Sequence, residues 1–207
     1  MASGARQVRA EQRVGAGVSG KYRTIVADPP WPFAWQGGTG GRRANATKLG
    51  YETITVEEIA AEHGPGSVAD DATLFLWATM ATVHSGEAQG VARQWGFPTR
   101  TGEFIWRKPN FGTEVYPRIG HEVCMIYKRG KGSLRPDAPR NVHSVQTWSQ
   151  RYENNGGKSH SSKPDAFYDH VEQGYVGPYL EMFARRARFG WDYYGDESLG
   201  TATTGEA

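Results

Sequence analysis

The stretch TIVADPPWPF, Thr24 to Phe33, governs the reading of the whole chain. A β-branched, apolar run stops at an acid, two prolines and a tryptophan. Tyr22 to Ala27 has the short, continuous apolar composition of a strand buried on both faces. Pro29 and Pro30 fix their own backbone angles and hold Asp28 and Pro29 extended. Neither proline donates a backbone hydrogen bond, so acceptors dominate the arc: the Asp28 carboxylate and the Pro29 carbonyl. Trp31 adds a flat apolar face. Two converging acceptors beside an aromatic plate suit a planar group bearing an amine, such as a nucleobase. An ordinary Asp-Pro turn with a core tryptophan is the competing reading.

Working outward, Thr73 to Ala78, Glu103 to Lys108, Glu122 to Lys128 and Tyr179 to Ala184 read as further buried strands. Thr55 with Glu58 three residues on is a capping box that opens a helix ending near His63. A second helix is expected over Thr82 to Trp95, stopped by Gly96. A third is capped by Ser162, with Lys163 and Pro164 in its first turn. Strands alternating with helices mean an α/β sandwich with a mostly parallel sheet and one antiparallel strand. In such sheets ligands sit beyond the carboxyl ends of the strands, where Asp28 falls.

The glycine-rich segment Ala34 to Gly50 is too long for a simple connection and reads as functional or disordered. Two phosphate-loop lookalikes are rejected on context. GAGVSG precedes a strand instead of following one, and GGKS at Gly156 lacks its leading glycine because position 152 is tyrosine. The organisation expected is a flexible tail over residues 1–20, one domain over 21–198 and a short tail over 199–207.

Among 207 residues a single cysteine, Cys124, excludes internal disulfides and multi-cysteine zinc sites. The six histidines show no ligand spacing, so no metal is expected. With no apolar run of membrane length and a polar N-terminus, a soluble, cytoplasmic protein is expected. Net charge is only +2, yet Arg100 to Lys163 holds twelve Lys or Arg against five acids. That block is either a solvated face or a phosphate-facing surface.

Six segments in fixed order resemble the MT-A70 family of N6-adenine methyltransferases, from about Tyr22 to Glu197. They are ADPPWPF, YETITVEEI, LFLWAT with FIWRKPN, GHEVCMIYKRGK, SSKPDAFYDHVE and LEMFARRARFGWDYYGDE. The resemblance implies a Rossmann-like methyltransferase fold with circularly permuted motif order. It also implies S-adenosyl-L-methionine as cofactor and the adenine amine as acceptor. On that basis Asp28, Pro29, Pro30 and Trp31 form the catalytic segment, with Trp31 stacking on the base. The cofactor side is assigned to Lys163, Phe183, Arg185, Asp196 and Glu197, where Asp196 replaces the family's usual Asn. Tyr51, Trp106, Lys108, Arg42 and Arg43 are expected on the substrate side, with Arg135, Arg140 and Arg151 available for phosphates.

The compact form resembles bacterial and phage members of the family, which favours DNA over RNA, and a homo- or heterodimer is left open. A non-catalytic nucleic-acid-binding subunit is the rival class, against which the intact DPPW argues. An acceptor amine on cytosine or on a small molecule is a third reading.

Overall fold

The computed structural model describes residues 21–32, 53–62, 64–109, 117–149, 162–184 and 187–194. The expected tails and the Ala34 to Gly50 segment lie outside them. The first strand, β1, spans Tyr22–Ala27 as its composition requires. Helix α1, Val56–Glu62, begins at the expected box: the Glu58 carboxylate accepts from Thr55 N–H at 2.8 Å, and Thr55 Oγ1 accepts from Glu58 N–H. Strand β2, Val68–Ala78, starts five residues earlier than expected, because its polar lead Ala69-Asp70-Asp71 masks the apolar pattern.

The single helix expected over Thr82 to Trp95 is two: α2, Met80–Ser85, and α3, Glu87–Gln94. Gly86 separates them with a φ of 83°, a left-handed conformation that closes α2 and re-aims the chain. Strands β3, Thr99–Arg107, and β4, His121–Arg129, follow. A two-residue strand β5, Val145–Gln146, comes next.

Helix α4 spans Asp165–Gly174 with Pro164 as its N-cap, so Ser162 is not the cap. Lys163 therefore precedes the helix and does not sit in its first turn. Strand β6, Tyr179–Met182, is followed by an unexpected β7, Trp191–Tyr194.

The strands form one sheet in the order β5-β3-β4-β2-β1-β6-β7, with helices packed on both faces. Strand β4 is antiparallel to both neighbours and every other pairing is parallel. This is the mostly parallel sheet with one reversed strand that the sequence implied. Side chains alternate between two faces that differ in kind. One face packs Ile25, Leu74, Leu76, Met125 and Leu180 against the helices α1 to α3. The other packs Val26, Phe75, Trp77, Phe104, Trp106 and Cys124 against Phe167, Tyr168 and Val171 of α4. Among the described residues no helix is long and apolar enough to cross a membrane.

Candidate active site

Strands β1, β2 and β6 run to the same end of the sheet, where β3 also ends and β4 begins. On the aromatic face, the next residue in register beyond the buried ones is charged on three strands. Asp28 follows Val26, Lys108 follows Trp106, and Glu122 precedes Cys124. Period-two alternation thus carries three charges onto one rim.

The Asp-Pro-Pro-Trp arc is held at four points. Asp28 N–H donates to the Met182 carbonyl at 3.5 Å, extending the β1–β6 ladder. The Pro29 carbonyl accepts from Trp31 N–H at 2.8 Å, closing a three-residue turn around Pro30, whose fixed φ suits it. The Pro30 carbonyl accepts from Ile54 N–H at 3.1 Å, and the Trp31 indole N–H donates to the Trp77 carbonyl at 2.8 Å. Trp31 is only 6% exposed and belongs to the aliphatic core. Its expected stacking on a base is therefore corrected: the indole is an anchor, turned inward to satisfy a strand carbonyl.

Lys163 places its ammonium 2.6 Å from Asp28 Oδ2 and 3.3 Å from Glu122. Glu122 in turn lies 2.6 Å from Lys108. The result is a line of alternating charge, Asp28–Lys163–Glu122–Lys108, that neutralises itself. The Lys163 side chain is 5% exposed and the Asp28 side chain 23%, so the lysine is buried beneath a partly accessible carboxylate. Burial pushes the Glu122 carboxyl up, but the charges and hydrogen bonds of Lys163 and Lys108 outweigh it and hold it below its ordinary range. Burial lowers the Lys108 ammonium, with Glu122 partly offsetting it.

Trp106 is fully buried, donates its indole N–H to the Trp148 carbonyl at 2.9 Å, and carries the Lys108 ammonium 3.4 Å above its ring. Its expected contact with substrate is corrected to a floor beneath Lys108. Arg135 is corrected as well: its Nε donates to the Tyr175 carbonyl at 3.0 Å, at the far end of α4. Tyr51, Arg42, Arg43, Arg151, Arg185, Asp196 and Glu197 lie outside the described residues.

On the cofactor side, Phe183 leaves β6 with a φ of 60°. A bulky residue rarely adopts this left-handed geometry, which glycine enters freely. The turn therefore has a glycine-like conformation where the sequence has no glycine. Glu181, in β6 opposite Val26 of β1, is 8% exposed and accepts from the Tyr168 hydroxyl at 2.5 Å. Burial, with the nearby Asp28 charge adding to it, raises its carboxyl to about 7 against the opposing Tyr168 hydrogen bond.

Glu122 and Glu181 were absent from the sequence-based site. Parity with Cys124 and Val26 across the sheet is the signal that finds them, and it requires the register. A groove of about 680 Å³ lies along the amino-terminal half of β3, between Arg100, Phe104, Val142 and Tyr175, away from this rim. Among the described residues no three His, Cys, Asp or Glu side chains gather to hold a metal.

The model of the MT-A70 family matches residues 22–197. Among named proteins, the type II methyltransferase M.MunI of a Mycoplasma species is 28% identical over 204 residues, covering 90% of this chain and 83% of the relative. The N6-methyladenosine RNA methyltransferase MTA1 of Pyricularia oryzae is 28% identical over 200 residues, covering 86% and 47%. The N(6)-adenosine-methyltransferase subunit METTL3 of Danio rerio is 29% identical over 184 residues, covering 81% and 26%. The chain thus spans most of the bacterial relative, but about half and about a quarter of these two eukaryotic ones.

Proposed function

Because the chain belongs to the MT-A70 family and is an N6-adenine methyltransferase, we propose that it methylates adenine in DNA using S-adenosyl-L-methionine. The observation that carries the reaction centre is the arc itself. It presents a partly exposed carboxylate and a proline carbonyl from a backbone held at four points.

An adenine amine is a poor nucleophile because its lone pair is delocalised into the ring. Hydrogen bonds from its two N–H groups to Asp28 and to the Pro29 carbonyl draw it toward tetrahedral geometry and free that lone pair. The Pro29 oxygen takes one bond from Trp31 N–H and retains a second lone pair. Lys163, bonded to Asp28 Oδ2, fixes the rotation of the carboxylate. Asp28 therefore orients the amine and stabilises its developing positive charge, as positioned acceptors do. The rigid arc keeps reorganisation small.

S-adenosyl-L-methionine supplies an electrophilic methyl group on a sulfonium. The side chains at and just below the rim fit its charges: the acids Asp28 and Glu181 for its cationic groups, and the Lys163 ammonium for its carboxylate. Phe183 lies at the turn assigned to the adenosine, and Arg185, Asp196 and Glu197 complete that assignment by resemblance. The catalytic segment preceding the cofactor segment in the chain is the permuted order. β6, which carries the latter, sits directly beside β1.

A base inside a duplex cannot reach Asp28, so the acceptor is flipped out or single-stranded. The extent of the match to a type II methyltransferase favours DNA. Relatives named for RNA, which the chain spans only in part, support RNA as the second reading. Tyr51, Arg42 and Arg43 are assigned to the base and its flanking phosphates. Their electrostatic share is checked by the slope of log affinity against log salt.

The deciding experiment incubates the purified chain with methyl-labelled S-adenosyl-L-methionine and, separately, DNA and RNA, then identifies labelled nucleosides by mass spectrometry. N6-methyldeoxyadenosine is expected. Label in RNA alone would move the substrate assignment, label on cytosine would overturn the acceptor, and no transfer would support the non-catalytic subunit.

A further inference from the structure

Among the described residues, one acid just below the rim, level with Val26, makes no ion pair. Glu181 is nearly enclosed, and among the described residues its hydrogen bond comes from the neutral Tyr168 hydroxyl. The groups around it come from every side. Asp28 extends β1, the strand next to β6. Tyr193 of β7 is in register with Glu181. Lys163 and Tyr168 belong to the α4 segment, and Arg188 precedes β7. Both cations act on Glu181 through space, while among the described residues their ion pairs go elsewhere. Lys163 meets Asp28 and Glu122, and Arg188 meets Asp169 and Glu172. An added positive charge nearby shifts this carboxyl toward its ionised form.

We propose that Glu181, held by Tyr168, is a proton-exchanging counter-ion of the methyl donor: protonated in the free protein, it releases its proton to solvent as the cationic donor docks. The step breaks only the carboxyl O–H bond, and the proton passes to buffer. This rests on the donor assignment made above and adds to it a residue and a pH dependence. Burial without an ion pair places the free carboxyl near neutrality, at about 7. An arriving sulfonium favours the ionised form, so donor affinity must rise as pH rises through that value. Tyr168 presents its hydroxyl to the carboxylate and keeps the charge local once formed.

Calorimetric titration of the intact chain with S-adenosyl-L-methionine, in buffers of different ionisation enthalpy between pH 6 and pH 8, measures affinity and proton release together. The wild-type protein should bind up to about tenfold more tightly at pH 8 than at pH 6, with net proton release near neutrality. The donor's own ammonium titrates equally against every variant, so the difference from Glu181→Gln isolates this group. That variant should lose the extra proton and flatten the affinity profile. S-adenosylhomocysteine, which lacks the sulfonium charge, should release fewer protons from the wild type. Tyr168→Phe, which keeps the carboxyl but removes its hydrogen bond, should move the midpoint to higher pH. Equal proton release from wild type and Glu181→Gln overturns the proposal. So does an unmoved midpoint in Tyr168→Phe, which serves as the test should Glu181→Gln not fold. If neither protein binds the donor at any pH, the donor assignment falls and this inference with it.

Discussion

The two faces of the sheet are built from different materials and do different work. The face beneath α1, α2 and α3 is mainly aliphatic, and the chain leaves it through ordinary caps such as Thr79 and Gly86. The face beneath α4 is aromatic, with Phe167 meeting Trp77 at 4.9 Å, Trp148 at 5.7 Å and Phe75 at 5.9 Å, all edge to face. At the carboxyl ends of its strands the aromatic face continues into the linked charges Asp28, Lys163, Glu122 and Lys108. The lesson is one of stiffness. Large rings with few torsions set α4, and therefore Lys163, against the sheet with little freedom. The aliphatic face mainly fills space.

The largest expected effect separates the faces. Phe167→Ala removes the ring shared by five aromatic partners and should cost about 3–5 kcal/mol in urea unfolding. It should also lower kcat, because α4 carries Lys163 to Asp28. Leu76→Ala, an equally buried change on the aliphatic face, should cost about 2–4 kcal/mol and leave kcat near wild type in the folded fraction. Equal losses of kcat from both would erase the distinction.

Asp28→Asn sharpens the comparison at the rim. It keeps the size of the side chain and one acceptor but removes the charge that Lys163 and the amine share. Turnover should fall about 10²–10³-fold, while circular dichroism reports the same fold, since Lys163 retains Glu122. A rate near wild type would show that the carboxylate charge has no part in the reaction.

The sequence announced the arc but not its surroundings, and the reason is physical. Two prolines after an acid impose a local conformation, so Asp28 to Trp31 is legible without neighbours. Capping by Thr55 and Glu58 is equally local and appears where expected. Glu122 and Lys163 depend on which strands and loops lie side by side, a property of the sheet order. Lys163, expected in the first turn of a helix, instead precedes the helix and answers two carboxylates. Strand β7 was missed because four residues after a tight turn carry too little pattern. Gly86 was missed because one glycine in a helical run reads as a tolerated defect until its φ is known.

Glu181 tests whether the aromatic face tolerates a buried acid by keeping it neutral. Its folded-state value of about 7 lies above the 4.5 expected when unfolded. Between those values the unfolded chain is ionised and the folded one protonated. Stability is therefore full below 4.5 and declines as pH rises toward 7, by about 2–3 kcal/mol. Glu181→Gln, which still accepts from Tyr168, should flatten this part of the profile and melt higher than wild type at pH 8. A wild-type profile that rises across the same range would place a charged, satisfied carboxylate there instead.

The smallest effect concerns Trp31, which joins the two faces. Trp31 is packed in the aliphatic core, yet its indole N–H ends on the Trp77 carbonyl, in the strand that forms part of the aromatic floor. Trp31→Phe keeps an aromatic ring of similar shape and deletes that bond alone. The buried carbonyl left without its donor should cost about 1–2 kcal/mol, read as a lower urea midpoint. Stacking on a base would survive the change, because phenylalanine presents a flat face too. An anchoring role would not, because the bond fixes the arc that carries Asp28 and the Pro29 carbonyl. The two roles therefore part on kinetics. An anchor predicts a severalfold lower kcat with KM for nucleic acid little altered. Wild-type stability and kcat in Trp31→Phe would return Trp31 to the substrate side and leave the arc held by its backbone bonds.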